Sequence, residues 1–242
     1  RSPREGSCSV ALGFILIMGR YDLHMDSMKS SASRCTLIGD IVGSRGSVDR
    51  ADLHRAVEAA LRQVDDAVPS LTGLRVTVGD EFQGSYATLG EALDAGLRVR
   101  LALLPDVDTR VGIGRGSVTT LDPDRGIEDG PGWWAARSAV EAAEEAAAKP
   151  ATRHVRTALR VAASEDDTAV DAVNAALLCR DHLVGSCSER SIRLLRGLMQ
   201  PHTTQGDLAT LEGISPSAVS QRVRADGLGA VLAAHDLLRR MP

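Results

Sequence analysis

From Arg34 onward, apolar residues alternate between a period of two and a period of three to four, and each switch marks an element. Cys35 to Ile38 is a strand candidate that stops at Gly39-Asp40, and Gly43-Ser44-Arg45-Gly46 follows as a loop. Leu53, Val57, Leu61 and Val64 recur at helical spacing, so residues 51–68 read as a helix that Pro69 ends. Leu74 to Val78 is a second strand and residues 83–87 a third, joined through Gly79-Asp80-Glu81 as a tight acidic hairpin. Leu93, Leu97, Leu101 and Leu104 predict a helix over residues 89–104, closed by Pro105. Thr109 to Val118 is a fourth strand with Val111 and Ile113 on one face. The order β-α-β-β-α-β predicts an α+β, ferredoxin-like domain over residues 34–165, with its first strand between the third and the fourth.

Beyond Lys149-Pro150 the pattern changes. Residues 156–162 predict an edge strand, and the acidic stretch 164–167 marks a boundary. Residues 171–184 and 189–199 read as helices, the second ended by Pro201-His202. Thr204 and Asp207 have the spacing of a capping box, Gly213 permits a sharp turn, and Ser215 caps a further helix with Pro216 in its first turn. Ala209, Ile214 and Val219 are small or apolar where two helices would cross. These signals predict a small all-α domain over residues 166–242 containing a helix-turn-helix. Its second helix would offer Ser217, Ser220, Gln221 and Arg224 to base edges and Arg222 to a phosphate. A helical hairpin that docks on the first domain or dimerises is the alternative. DNA contact implies a homodimer, because paired half-sites double the phosphate contacts.

Composition narrows this only slightly. A chain of 242 residues can bury a sizeable core, and a net charge of −4 excludes a globally basic coat without excluding a local DNA-binding face. Cys8, Cys35, Cys179 and Cys187 have neither disulfide-framework nor zinc spacing, and read as reduced thiols of a cytoplasmic protein. The apolar run from Val10 to Met18 is too short to span a bilayer, and residues 1–33 read as an unstructured extension rather than a targeting signal.

The candidate chemistry sits at two carboxylates. In the inferred topology the first and second strands run parallel, so Asp40 and Asp80 meet at one sheet edge. Paired carboxylates repel unless protonated or bridged, and an oxygen-rich pair suits Mg²⁺ or Mn²⁺. Gly43 and Ser44 can aim backbone N–H groups at a phosphate, and Arg45 is either a clamp for it or an ordinary loop arginine. Singly, Asp40 reads equally as a cap and Gly79-Asp80 as a hairpin turn; jointly they read as a metal site. Glu81 reads as a solvated turn residue or a supporting partner. Trp133 and Trp134 read as core, with one ring available to stack on a base.

Four motifs in order carry a resemblance: Ile38-Gly39-Asp40-Ile41-Val42-Gly43-Ser44, Val78-Gly79-Asp80-Glu81-Phe82, Arg110-Val111-Gly112-Ile113-Gly114 and the run from Asp129 to Arg137. Together they resemble the SatD family from about Arg34 to the C-terminal end. The same residues are more distantly similar to the palm domain of class III nucleotide cyclases and GGDEF-type enzymes. That similarity implies that Asp40 and Asp80 are metal aspartates and that Arg137 stabilises a transition state. The cyclase asparagine four residues earlier is Trp133 here, and the purine-selecting lysine is Val76, so nucleotide binding is implied more fully than cyclisation. The expected function is a cytoplasmic regulator binding a purine nucleotide, a divalent metal and DNA. An active nucleotidyl cyclase or nucleotide-condensing enzyme, and a ligand-free adaptor, are the alternatives.

Overall fold

The computed structural model describes residues 32–43 and 50–242, so the expected N-terminal extension up to residue 31 and the loop residues Ser44 and Arg45 lie outside the described residues. In chain order the elements are β1 (Ala32–Ile41), α1 (Arg50–Ala67), β2 (Arg75–Val76), β3 (Phe82–Tyr86), α2 (Leu89–Leu103), β4 (Thr109–Asp122), β5 (Ile127–Asp129) and α3 (Pro131–Ala147). A short 3₁₀ turn (Pro150–Thr152) leads to β6 (Thr157–Val161). The rest is helical: α4 (Val170–Gly185), α5 (Glu189–Leu198), α6 (Gln205–Glu212), α7 (Pro216–Ala225) and α8 (Leu228–Leu238). The architecture is mixed α+β around one mixed sheet.

Strands lie in the order β2-β3-β1-β4-β5, all antiparallel, with β6 added parallel to β4. Position β1 is central, and its period-two alternation is buried on both faces. Cys35, Leu37 and Ile41 join Val57, Leu61 and Val64 of α1 and Leu93 of α2 in the main core. Ile38 instead meets Trp133, Ala136 and Val140 of α3 on the opposite face. Strand β2 is shorter than the sequence pattern suggests because the chain leaves the ladder at Thr77. There Thr77 N–H donates to Glu81 O at 2.9 Å, Glu81 N–H donates to Val78 O at 3.0 Å, and Gly79 adopts φ +66°.

Helix α3 lies on β4 at backbone distance. A Cβ at Gly112 would stand 2.2 Å from Val140 N, and one at Gly114 would stand 2.2 Å from Gly132 O. Three glycines at alternate positions, Gly112, Gly114 and Gly116, thus present a bare strip of strand to a helix whose buried positions are mostly alanine. Thr36 Oγ1 fastens the start of that helix by donating to Gly132 O at 2.8 Å.

Helix α2 is buried almost all round because it serves two cores. Its Leu97 and Leu101 pack with Ile192, Leu195, Leu208, Val219, Leu228 and Val231 of the helical segment. All four N-terminal amides of α2 are satisfied: Leu89 and Gly90 donate to Pro242 and Met241 carbonyls, Glu91 to Thr88 Oγ1 and Ala92 to Thr88 O. A buried ion network adds a second fastening. Asp181, with no exposed surface, accepts from Arg100 Nη1 (3.3 Å), Arg180 Nη2 (3.3 Å) and the backbone N–H groups of Arg156 and Thr157 (2.7 and 2.6 Å).

Candidate functional site

Asp40 is the penultimate residue of β1 and shares the α3-facing side of the sheet with Thr36 and Ile38. Arg110 stands opposite it in the β1–β4 register, and its Nη1 donates to Asp40 Oδ2 at 2.9 Å while also lying 3.2 Å from Glu144 Oε1. Asp40 Oδ1 is buried and has no hydrogen-bond partner among the described residues. Burial pushes the Asp40 carboxyl above its ordinary value; Arg110 pulls it down, and the negative charges of Glu144 and Asp80 push it up again. An orphaned, partly desolvated carboxylate oxygen is one that gains from a cation.

Asp80 is half-buried in the β2–β3 turn, and its charge acts on Asp40. The two aspartates therefore lie at one end of the sheet, as the strand order requires. Asp80 also lines a cavity of about 250 Å³ together with Ile41, Arg50, Leu53, His54, Val57, Val76 and Gly79. Glu81 follows it and is gripped at both oxygens by Arg137, with Nη1–Oε2 at 2.6 Å and Nη2–Oε1 at 2.8 Å. The Glu81 hydrogen bond holds the Arg137 pKa above its ordinary value, with the charges of Glu141 and Asp40 adding to it.

Glu81, read from the sequence as a turn residue or supporting partner, and Arg110, which opens the third motif, both join the cluster; Glu144 is the member that residue spacing did not single out. The signal for Glu81 was in the register: Ile38 pairs with Gln83, so the residue two before Gln83 falls on the Asp40 side. Five carboxylates, Asp40, Asp80, Glu81, Glu141 and Glu144, surround Arg110 and Arg137 in this cluster. The balance is negative and favours a cation. Among the described residues no three carboxylate, imidazole or thiol groups are gathered around one ion position. Mg²⁺ needs no such cage, since it keeps waters and takes one or two carboxylates plus substrate phosphates.

Other expected residues are placed as follows. Gly43 adopts φ +75° with open space where a Cβ would be. Trp133 is buried against Ile38, whereas Trp134 is 63 % exposed and donates from Nε1 to Asp129 at 3.0 Å. On α7, Ser217, Gln221 and Arg224 are exposed, Ser220 accepts from Arg224 Nη1 at 3.2 Å, and Arg222 lies 3.7 Å from Asp226. Gly213 takes φ +63° between α6 and α7, and Thr204–Asp207 forms a reciprocal capping box. Among the described residues no helix is long and apolar enough to cross a membrane.

Two solved structures show partial likeness. One is a guanylyl cyclase, 15% identical over 36% of this chain and 55% of that one, with a TM-score of 0.30. The other is a bacterial light-regulated adenylyl cyclase, 15% identical over 54% of this chain and 77% of that one, with a TM-score of 0.36. No curated protein matches the chain. The description of the SatD family matches residues 34–238, which takes in all four ordered motifs and the helical segment; the chain belongs to the SatD family.

Proposed function

We propose that the Asp40 end of the sheet binds a purine nucleotide together with Mg²⁺ or Mn²⁺, and that a helix-turn-helix formed by α6 and α7 contacts DNA as part of a homodimer. The observation that carries the first half is the buried Asp40 Oδ1 without a partner, beside a second carboxylate whose charge disfavours its own. A divalent cation would relieve both penalties and supply the positive charge that attracts phosphates. Asp40 and Asp80 would hold the metal. Gly43, Ser44 and Arg45 would cradle phosphate oxygens, and the positive φ and open surroundings of Gly43 suit a nest of backbone N–H groups.

The order β1-α1-β2-β3-α2-β4 supports reading the sheet as a ferredoxin-like palm. The turn at Gly213 and the caps at Thr204 and Ser215 support the helix-turn-helix reading. Within it Ser217, Ser220, Gln221 and Arg224 would face bases and Arg222 a phosphate, so the nucleotide would act as the signal and DNA as the output.

A catalytic reading, cyclisation or condensation of nucleoside triphosphates, is favoured by one observation: Arg137 is close enough for the Asp40 charge to act on it. Against it, Glu81 already holds both terminal nitrogens of that guanidinium and neutralises its charge, leaving Arg137 only its remaining N–H groups for a phosphate unless it exchanges partners. Isothermal titration of the full chain with ATP and GTP, with and without Mg²⁺, tests the binding claim. Metal-dependent binding that Asp40→Asn abolishes is expected; equal binding by the wild type and that variant, or none, refutes it. Pyrophosphate release on incubation with triphosphates separates the catalytic reading from binding alone.

A further inference from the structure

A second cleft, away from Asp40, lies between α2, the turn after α5, and α8. Its volume is about 390 Å³, and Arg98, Gln200, Pro201, His235, Asp236 and Arg239 are among its walls. That size falls within the usual range of small-molecule sites, roughly 300–1,000 Å³.

His235 is 4 % exposed, and its Nε2 lies 3.1 Å from Asp94 Oδ1. Asp94 accepts a second hydrogen bond from Arg98 Nε at 2.6 Å. Both polar partners of the Asp94 oxygen are thereby used within the protein. His235 is a wall residue of the cleft, and its remaining nitrogen, Nδ1, is buried and has no partner among the described residues. A buried ring nitrogen without a partner is a standing energetic cost unless water or a ligand meets it.

The guanidiniums are only partly used as well. Arg98 spends Nε on Asp94 and Nη2 on Met199 O at 3.4 Å, while Arg239 spends Nε on Asp236 at 3.1 Å. Arg98 Nη1 and both terminal nitrogens of Arg239 have no acceptor among the described residues. Both nearby aspartates are engaged, Asp94 by Arg98 and His235, Asp236 by Arg239. Set against one wall carboxylate, Asp236, which is paired with Arg239, the cleft offers the unused guanidinium N–H groups of Arg98 and Arg239 and the Gln200 amide.

We propose that this cleft is a second ligand site, taking a small metabolite with an anionic head, phosphate or carboxylate, and bridging α2 to α8. Its position gives the ligand leverage. Helix α2 belongs to the main core with β1, and α8 packs on α7 in the helical core, so one bound anion contacts both layers. This inference does not depend on the Asp40 reading.

Titration of the full chain with inorganic phosphate and with citrate, at constant ionic strength held by sodium chloride, tests it by calorimetry and by the phosphorus-31 line width. Saturable binding of one of the two is expected, and which one binds identifies the head group. Arg239→Gln, at a largely exposed position, should fold normally and weaken binding at least tenfold. Hydrogen exchange should slow in α2 and α8 on binding and leave β1 and β4 unchanged. Absence of saturable binding of both anions, or equal affinity in wild type and Arg239→Gln, overturns the proposal.

Discussion

Replacing Gly114 by alanine puts a methyl group where the backbone of α3 already lies. The new Cβ would stand 2.2 Å from Gly132 O and 2.3 Å from Ala136 N, whereas ordinary contact begins at 3.4 Å. Both obstacles are main-chain atoms, so no rotamer change relieves the clash, and α3 must move off β4 by roughly 1 Å. That shift loosens the packing of Ile38, Val118, Trp133, Ala136 and Val140. Overpacking of this kind costs about 1–3 kcal/mol, and a backbone obstacle places it near the upper end, about 3 kcal/mol. For a chain of this size that lowers the thermal midpoint by about 6–12 °C, at roughly 2–4 °C per kcal/mol. Urea unfolding followed by circular dichroism should show the midpoint falling at unchanged slope. Because α3 also carries Arg137 and Glu144, nucleotide affinity should fall although Gly114 touches no ligand. Gly206→Ala is the control: its nearest neighbour is Thr204 Oγ1 at 3.5 Å, so it should be neutral or slightly stabilising. An unchanged midpoint for Gly114→Ala would refute the close-approach argument.

Asp40→Asn should raise the thermal midpoint at neutral pH in metal-free buffer. The folded-state pKa of Asp40 lies above its ordinary value of 3.8, so the unfolded chain releases this proton first and stability declines as pH rises through that region. The gain over wild type should shrink as pH falls toward 3.8, and a variant less stable than wild type at neutral pH contradicts the assignment. Asp181→Ala strands the Arg180 charge in the interior, while Arg100 keeps Asp108, and should cost about 3–5 kcal/mol in urea unfolding; a loss below about 1 kcal/mol would show the network to be dispensable. Asp94 is pushed up by burial but held lower overall by the His235 hydrogen bond and Arg98, so its contribution is present above 3.8 and lost as pH falls. Asp94→Asn should therefore flatten the acid limb of the stability profile, and an unaltered limb argues against it. Arg224→Gln should weaken binding in a low-salt gel shift and leave nucleotide binding unchanged; loss of both points to misfolding rather than DNA contact.

Elements with a strong local period were legible in the residues alone. The leucine and valine spacing in α1 and α2 and the alternation in β1 and β4 report burial directly, because large apolar side chains fill those faces. Helix α3 and the short β5 escaped that reading. The buried stripe of α3 is mostly alanine, and its counterpart is the glycine strip Gly112, Gly114 and Gly116; neither half signals packing until the two are placed face to face. The helical segment was marked by its caps, since Thr204, Gly213 and Ser215 act within one turn of their own position. At the candidate site, Asp40 and Asp80 stood out because each follows a strand-like run and a glycine. Glu81 was legible only as a turn residue or supporting partner and Glu144 not at all, because what joins them to the cluster is pairing with Arg137 and Arg110, residues distant in sequence and brought close by the packing of α3 on the sheet.

The most direct test of a cation site at Asp40 is a crystal grown with Mn²⁺ and a purine triphosphate, with anomalous scattering recorded at the manganese edge. A peak at about 2.0–2.2 Å from Asp40 Oδ1, with phosphate oxygens completing the shell, is the predicted result. No peak there, with Oδ1 instead hydrogen-bonded to a loop residue or a water, contradicts the account.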